Sequence, residues 1–180
     1  MKKVINTPIS VEDARTLEIG EVVYITGTIF TLRDAGHKRL VEMLQKGENL
    51  DVDLRGATIY YAGPCPNPPD KVIGSIGPTT SVRMDAYSPY LIKWGLKNMI
   101  GKGFRSEEVI DSVRENEGLY LVAVGGAAAL MSKCIKKVEI VAFEDLGTEA
   151  LRKMEVENLP VIVSIDTRGN YVYSNAEKLN

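Results

Sequence analysis

The sequence has few of the side chains that build metal sites and disulfide frameworks. It contains two cysteines, Cys65 and Cys134, far apart in 180 residues. Such a pair forms neither a disulfide framework nor a metal-binding knuckle, and a protein-held iron–sulfur cluster takes ~3–4 cysteines. His37 is the only histidine, and a lone histidine defines neither a metal site nor a catalytic triad. We therefore expect this chain to hold no metal by itself, and we interpret both cysteines as structural or incidental thiols.

An excess of positive charge and a long apolar run are also missing. The 22 Lys and Arg residues are balanced by 24 Asp and Glu residues, for a net charge of -2, whereas a nucleic-acid binder needs a basic stripe. No apolar run is long enough to span a bilayer, and the N-terminus turns polar too early for a signal peptide. These absences predict a cytoplasmic protein without nucleic-acid or membrane partners.

The residues that are present predict a single α/β domain over residues 1–180. The length and the hydrophobic fraction of 44% suffice for a sizeable core, and strand and helix patterns alternate along most of the chain. Strands are expected at residues 21–27 (extended by 28–31), 58–61, 99–100, 119–124, 138–143 and 161–165, with a final hairpin strand at 171–173. Helices are expected at residues 33–46, 80–94, 106–114, 127–131 and 148–153, and Pro89 can kink or interrupt the second of them. A proline-rich loop at 63–69 interrupts the alternation.

Residues 77–85 have the composition of a helix start that holds an anion. A glycine and a proline set a turn, Thr79, Thr80 or Ser81 can cap the helix, and Arg83 lies in its first turn. Free backbone N–H groups and the helix dipole favour a carboxylate or a phosphate at such an end. Most helices have ordinary caps, so the sequence leaves the anion-binding interpretation and the ordinary one about equally strong.

Three other segments are open to a functional and a structural interpretation. Lys102 stands between two glycines after a predicted strand, which suits a ligand contact or a surface turn. His37 lies in a charged stretch at a strand-to-helix junction, where chemistry alone favours a structural histidine over a catalytic one. Gly125 and Gly126 lack a dinucleotide fingerprint, so tight packing of a small helix explains them better than phosphate binding.

Taken in order, these segments resemble one known family, the β subunit or C-terminal domain of class I iron–sulfur fumarate hydratases and tartrate dehydratases. Each matching segment is weak by itself, but the ordered set is specific and runs through most of the chain. The segments are Gly27-Thr28-Ile29, Arg33-Asp34-Ala35-Gly36-His37, Tyr60-Tyr61-Ala62-Gly63-Pro64, Gly77-Pro78-Thr79-Thr80, Arg83-Met84, Gly101-Lys102-Gly103, Gly125-Gly126-Ala127-Ala128-Ala129, Glu144-Asp145-Leu146-Gly147, Glu149-Ala150, and Asp166 with Gly169-Asn170.

The resemblance implies a fold, a reaction and a partner. The fold would be a swivelling domain with a mixed sheet in a β/β/α arrangement, and the reaction would add water reversibly across the double bond of a four-carbon dicarboxylate. The family's [4Fe–4S] cluster is held by three cysteines of the partner α subunit, and one iron binds the substrate as a Lewis acid. This chain would then be half an enzyme, inactive without the α subunit and binding no cluster alone. A heterotetramer is expected, and the isolated chain could form a homodimer through its exposed partner surface.

The resemblance also implies roles for individual residues. Thr79 resembles the candidate base for the carbon-bound proton, Thr80 and Arg83 resemble carboxylate binders, and Arg33 and Lys102 match further cationic contacts. A dianionic substrate needs such cations, and arginine holds a carboxylate by two parallel hydrogen bonds. A threonine hydroxyl is a weak base, so nearby positive charge and the helix start would have to lower its pKa.

His37 gains weight from matching the family pattern beside Arg33. We expect it to orient that arginine or the subunit junction without contacting the substrate.

Three functions follow from this sequence. Residues 60–64 resemble the fumarase members more closely, so the β subunit of a fumarate hydratase is the leading prediction. Residues 80–84 and 100–103 also resemble the tartrate members, which keeps a tartrate dehydratase β subunit as an alternative. A non-catalytic anion-binding or regulatory module is the alternative of another class. The presence of all five candidate site residues counts against it, because such a module would have little need for all of them.

Overall fold

Seven strands form one mixed sheet in the computed structural model, which describes residues 1–64, 69–70, 74–124 and 128–174. The strands are β1 (Val4–Asn6), β2 (Val22–Thr31), β3 (Thr58–Tyr60), β4 (Asn98–Gly101), β5 (Leu119–Ala123), β6 (Ile135–Ala142) and β7 (Leu151–Ile165). The helices are α1 (Val11–Arg15), α2 (Asp34–Gln45), α3 (Ser88–Trp94), α4 (Glu107–Asn116) and α5 (Ala128–Cys134). Two 3₁₀ helices cover Ser81–Met84 and Glu144–Glu149.

The sheet closes on itself. Strands β1 to β5 pair in parallel, in chain order. Strand β7 runs antiparallel to β5, β6 and β2, so β2, β3, β4, β5 and β7 form a ring of neighbours. The register places Thr31 beside Tyr60 and Tyr60 beside Ile100. The carboxyl ends of β2, β3 and β4 therefore lie side by side, and the segments that follow them meet at one edge.

The two faces of the strands bury separate parts of the core. Successive side chains of a strand point to opposite faces. Tyr60 and Ile100 thus join a cluster that includes side chains of β1, α1 and α5. Ile59, Tyr61 and Tyr120 join a second cluster with apolar side chains of α2, α3 and α4. Burial on both faces explains why these parallel strands have largely apolar sequences.

The predicted α/β class and mixed sheet are confirmed, and most predicted strands and helices are present. The helix expected at 33–46 is α2, and the one expected at 106–114 is α4. The strand expected at 21–27 continues through 31 as β2, and the strand at 161–165 is the last third of the longer β7. Strand β1 and helix α1, at the N-terminus, were not predicted.

Three expectations about secondary structure were wrong. The helix expected at 148–153 is replaced by the end of a 3₁₀ helix and the start of β7, because this segment pairs with β2 and β6 on its two sides and tertiary pairing overrides local preference. The helix expected at 80–94 is split into a 3₁₀ turn and α3, with Pro89 in the first turn of α3, where a missing N–H costs nothing. The hairpin strand expected at 171–173 amounts to one isolated bridge between Ile165 and Tyr171.

Some predicted features lie outside the described residues. The proline-rich loop at 63–69 is described only in part, and Cys65, Gly125 and Gly126 are not described. Among the helices that are described, none has the length and hydropathy needed to cross a bilayer.

Replacing Ser106 should test how α4 is anchored at its start. Its hydroxyl accepts the N–H of Val109 at 3.3 Å, so Ser106→Ala should lower the free energy of unfolding by about 1 kcal/mol. The matched control is Ser112→Ala in the same helix, which removes no described side-chain cap and should leave stability within about 0.5 kcal/mol or raise it. Urea unfolding of both variants measures the difference. Equal stabilities would mean that the Ser106 cap contributes nothing.

Candidate functional site

The candidate residues gather where β2, β3 and β4 end. Arg33 comes two residues after β2, Gly63 comes three residues after β3, and Lys102 directly follows β4. In α/β proteins, ligands commonly bind beyond the carboxyl ends of parallel strands. We call this part of the molecule, made of residues 33–34, 61–63, 78–83 and 101–102, the strand-end site.

Arg33 lies against the backbone of Gly63. A Cβ at Gly63 would come within 2.8 Å of Arg33 Cδ and within 2.6 Å of the carbonyl oxygen of Thr148. Glycine is therefore required for this close approach. The Nε atom of Arg33 is buried and has no hydrogen-bond partner among the described residues. An unsatisfied buried donor is costly, so an anionic ligand that reached it would gain a strong contact.

Arg83 is held by an ion pair with Asp34. Its Nη2 and Nε atoms lie 2.7 and 2.8 Å from the same oxygen, Asp34 Oδ2. The pair joins the 3₁₀ turn to the first residue of α2 and places Arg83 beside the segment that carries Arg33. The Arg83 side chain remains 52% exposed, so a ligand can reach it. An exposed pair of this kind contributes little to stability.

Residues 78–81 cross the ends of β3 and β4 in strand-like pairing. The N–H of Thr79 donates to the carbonyl oxygen of Tyr61 at 2.7 Å, and the N–H of Ser81 donates to that of Lys102 at 2.9 Å. Thr80 forms a parallel bridge with Lys102, and both are exposed, whereas Thr79 is half-buried. The two threonines and the lysine are therefore neighbours.

The predicted α-helix start at residues 77–85 was wrong. Residues 81–84 form a single 3₁₀ turn, and Thr80 at its N-cap makes no side-chain capping bond. The physical reason is that carbonyl groups of the sheet already accept the N–H groups of Thr79 and Ser81. Those two donors are used in backbone pairing, so they are not available to an anion at the strand-end site.

A buried polar cluster lies below the site, and sequence reasoning missed its central residue, Arg105. The Arg105 side chain is 0% exposed. Its Nε lies 2.7 Å from Asp85 Oδ1, and its Nη2 donates to Ser88 Oγ at 2.9 Å. The guanidinium stacks over the rings of Tyr61 and Tyr120. The sequence holds no signal for this role, because Arg105 stands outside every motif and in a loop, where an arginine is ordinarily solvated.

His37 is buried between the strand-end site and this cluster. Its Nδ1 lies 2.8 Å from the carbonyl oxygen of Arg33. A carbonyl only accepts, so Nδ1 carries the proton of the neutral ring. The ring packs edge-on against Tyr61, with ring centres 5.2 Å apart. Burial lowers the pKa of His37 to about 4, so the histidine adds no charge at neutral pH. It contacts the backbone of Arg33, and its orienting role stays a prediction.

The structure thus brings all the predicted site residues into one neighbourhood. Arg33, Thr79, Thr80, Arg83 and Lys102 belong to the strand-end site, and His37 lies beneath it. Among the described residues, no three His, Cys, Asp or Glu side chains come together as a metal ion would require. Cys134 is half-buried near carbonyl oxygens, and burial raises the pKa of its thiol. The side chains described here do not fit an iron–sulfur cluster.

Comparisons with known proteins show the family to which this α/β domain belongs. A family model described as Fumarase C-terminus matches residues 1–176. The chain is 38% identical over 173 residues to a putative L(+)-tartrate dehydratase subunit beta of Methanocaldococcus jannaschii, covering 93% of this chain and 89% of the relative. It is 35% identical to the L(+)-tartrate dehydratase subunit beta of Escherichia coli, over 99% of this chain and 90% of the relative.

The relatives named as fumarate hydratases are longer proteins. Fumarate hydratase 2 of Leishmania major is 40% identical over 158 residues, which cover 87% of this chain but only 28% of that protein. The chain therefore spans about a quarter of the length of such relatives and nearly all of a tartrate dehydratase β subunit. The chain belongs to the Fumarase C-terminus family, whose domain occurs in class I fumarate hydratases and in tartrate dehydratase β subunits.

The pKa of His37 should make stability depend on pH. The pKa is about 4 in the folded chain and about 6.5 when unfolded, so the unfolded state binds the proton first as pH falls. The contribution is fully present above pH 6.5 and is lost as pH falls towards 4. Between pH 7.5 and 5 the loss should be about 2 kcal/mol.

Urea unfolding of the wild type and of His37→Asn at both pH values measures the contribution of His37 to the pH dependence of stability, because the other titrating groups are common to both proteins. The variant's stability should fall by about 2 kcal/mol less than that of the wild type. Parallel losses would show that His37 titrates normally in the fold.

Proposed function

We propose that this chain is the β component of a hydro-lyase that acts on a small dicarboxylate, with reversible hydration of fumarate to malate as its reaction. The observation that carries the proposal is the gathering of Arg33, Arg83 and Lys102 with two threonine hydroxyls at one sheet edge. Family membership supports the reaction class, because relatives are named as fumarate hydratases and tartrate dehydratases. The swivelling-domain fold belongs to the same proposal.

The cations would bind the two carboxylates of the substrate. The buried Nε of Arg33, which has no hydrogen-bond partner in the described part of the chain, is suited to an anionic group, and so are the exposed side chains of Arg83 and Lys102. When a proton leaves the carbon next to a carboxylate, negative charge develops on that group, and fixed cations stabilise it. Thr80, exposed beside Lys102, would add a hydrogen bond to the same ligand.

Thr79 would take the carbon-bound proton. It is half-buried, and its backbone is fixed to Tyr61, so its position is well defined. Its hydroxyl is a weak base by itself, but the positive charges of Lys102 and Arg83 in the same site would favour the deprotonated form. We propose this pair of cations, rather than a helix dipole, as the means by which the pKa of the hydroxyl is lowered.

The partner would be an α subunit that holds a [4Fe–4S] cluster, since the side chains described here offer no ligand set for one. That cluster would supply a Lewis acid for the departing hydroxyl group. A heterotetramer is the proposed assembly. Exposed apolar side chains lie in the strand-end site and next to it in sequence, with Val82 50% and Phe104 62% exposed, and they suit a surface that a partner covers.

A tartrate dehydratase β subunit is the second candidate. The observation in its favour is the similarity to two relatives named as tartrate dehydratase β subunits, 38% and 35% identical over 93% and 99% of this chain. Malate and tartrate differ by one hydroxyl group, and both are dianions at neutral pH. Charge at the strand-end site therefore does not separate the two reactions.

Co-expression with an α subunit tests the proposed function. The complex would be purified without oxygen, its cluster reconstituted, and dehydration of malate and of tartrate measured side by side. We expect turnover only when both chains are present, with malate the better substrate. Faster turnover of tartrate would favour the second candidate. A cluster-loaded α subunit that neither binds this chain nor becomes active with it would favour the non-catalytic anion-binding module.

Thr79→Ala should separate catalysis from binding. If Thr79 takes the proton, loss of its hydroxyl should lower kcat at least about 100-fold while KM changes little, because the cations remain. Thr79→Ser keeps a hydroxyl group and serves as the matched control, with most of the turnover retained. Steady-state kinetics of the complexes measures both constants. Near-normal kcat in Thr79→Ala would remove Thr79 as the base.

A further inference from the structure

We propose that Arg105 is the positioning residue of the strand-end site. Its buried guanidinium fixes the two segments 78–83 and 101–102, which carry Thr79, Arg83 and Lys102, and it does not contact the substrate itself. The proposal rests on the hydro-lyase function proposed above, and it concerns a residue outside every matched family motif. The contacts that carry it run in three directions from one buried group.

The first direction leads through Asp85 to the 3₁₀ turn. Arg105 Nε lies 2.7 Å from Asp85 Oδ1, and Asp85 Oδ2 accepts the N–H of Ser106 at 2.6 Å. Asp85 directly follows the turn that contains Arg83, and its side chain is only 10% exposed. With both carboxylate oxygens bound, the end of the turn is fixed to the start of α4.

The second direction leads through Tyr61 to Thr79. Arg105 Nη2 donates to the Tyr61 hydroxyl at 3.3 Å, and Arg105 Cζ lies 5.2 Å from the centre of the Tyr61 ring. The carbonyl oxygen of Tyr61 accepts the N–H of Thr79 at 2.7 Å. A shift of the Tyr61 ring would therefore move the backbone that holds Thr79.

The third direction leads through Tyr120 to Lys102. Arg105 Cζ lies 4.7 Å from the centre of the Tyr120 ring. The Tyr120 hydroxyl lies 2.9 Å from Ser81 Oγ and 2.9 Å from the carbonyl oxygen of Gly103. Ser81 Oγ also accepts the N–H of Lys102 at 3.0 Å. Ser81, which binds the backbone of Lys102, and Gly103, which follows it, are thus both in contact with the Tyr120 hydroxyl, and the Tyr120 ring packs on Arg105.

Arginine is the side chain that can make these contacts together. Its planar guanidinium presents five donors in a fork and stacks on aromatic rings, whereas a lysine offers three donors at one point. Lysine at 105 would keep the positive charge and could still reach Asp85. It would lose the simultaneous bonds to Ser88 and Tyr61 and the flat contact with both rings. Arg105→Lys therefore tests geometry at constant charge.

The test combines kinetics of the assembled complex with hydrogen exchange of the full chain. We expect Arg105→Lys to lower kcat/KM about 100-fold, since a misplacement of about 1 Å has such an effect, with the larger change in kcat. The backbone N–H groups of Thr79, Ser81 and Lys102 should exchange faster, because their acceptors move. Asp85→Asn should change the same three N–H groups.

Val113→Ala is the control for general loss of stability. Val113 is 0% exposed in α4 and has no part in the strand-end site. This variant should unfold at lower urea concentration while keeping its kinetics and the protection of the three N–H groups. Equal loss of activity in Val113→Ala would overturn the proposal, and so would unchanged exchange in Arg105→Lys. If the wild-type complex turns over none of the substrates, the proposed function fails, and the exchange data still decide the role of Arg105.

Discussion

The burial of the Arg105 charge is the constraint on which the strand-end site depends. A buried ion is costly unless charges and hydrogen bonds satisfy it. Here the partners come from four places: the residue after the Ser81–Met84 turn, the residue after β3, helix α3 and strand β5. Satisfying one guanidinium therefore fixes the relative positions of all four. The residues of the strand-end site are attached to these elements, so their backbone positions are fixed as well.

The upper layer of the site is held much less tightly. The Arg83–Asp34 pair is partly exposed, and pairs of that kind contribute little to stability. Lys102 and Thr80 stand in solvent on a backbone fixed from below. A rigid base with open, exposed side chains suits half of a pocket, in which a second surface would exclude water and complete the contacts. The exposed side chains of Val82, within the site, and of Phe104, two residues after Lys102, support the same interpretation.

Sequence reasoning succeeded where local pattern and topology agree, and it failed where long-range pairing decides. Helices α2 and α4 were predicted because apolar spacing and start signals such as Ser106 are local. The segment after Thr148 was predicted as a helix, since its sequence does not reveal that two strands will flank it. The α-helix expected to start near Thr80 was wrong for the same reason: Tyr61 and Lys102, distant in sequence, accept the N–H groups of Thr79 and Ser81. The candidate site residues came from an ordered resemblance, whereas Arg105 belongs to no motif.

The charges at the strand-end site bear on which ligand it suits. Arg33, Arg83 and Lys102 supply three positive charges, Asp34 supplies one negative charge, and His37 is neutral because burial lowers its pKa to about 4. The net charge of two matches a dicarboxylate, which would compete with Asp34 for Arg83. Fumarate, malate and tartrate carry the same charge, so a site can distinguish them only by their different numbers of hydroxyl groups. A site that hydrogen-bonds a substrate hydroxyl discriminates strongly against an analogue without it. Thr79 and Thr80, together with the side chains that the proposed α subunit would present, are therefore the groups on which substrate choice should depend.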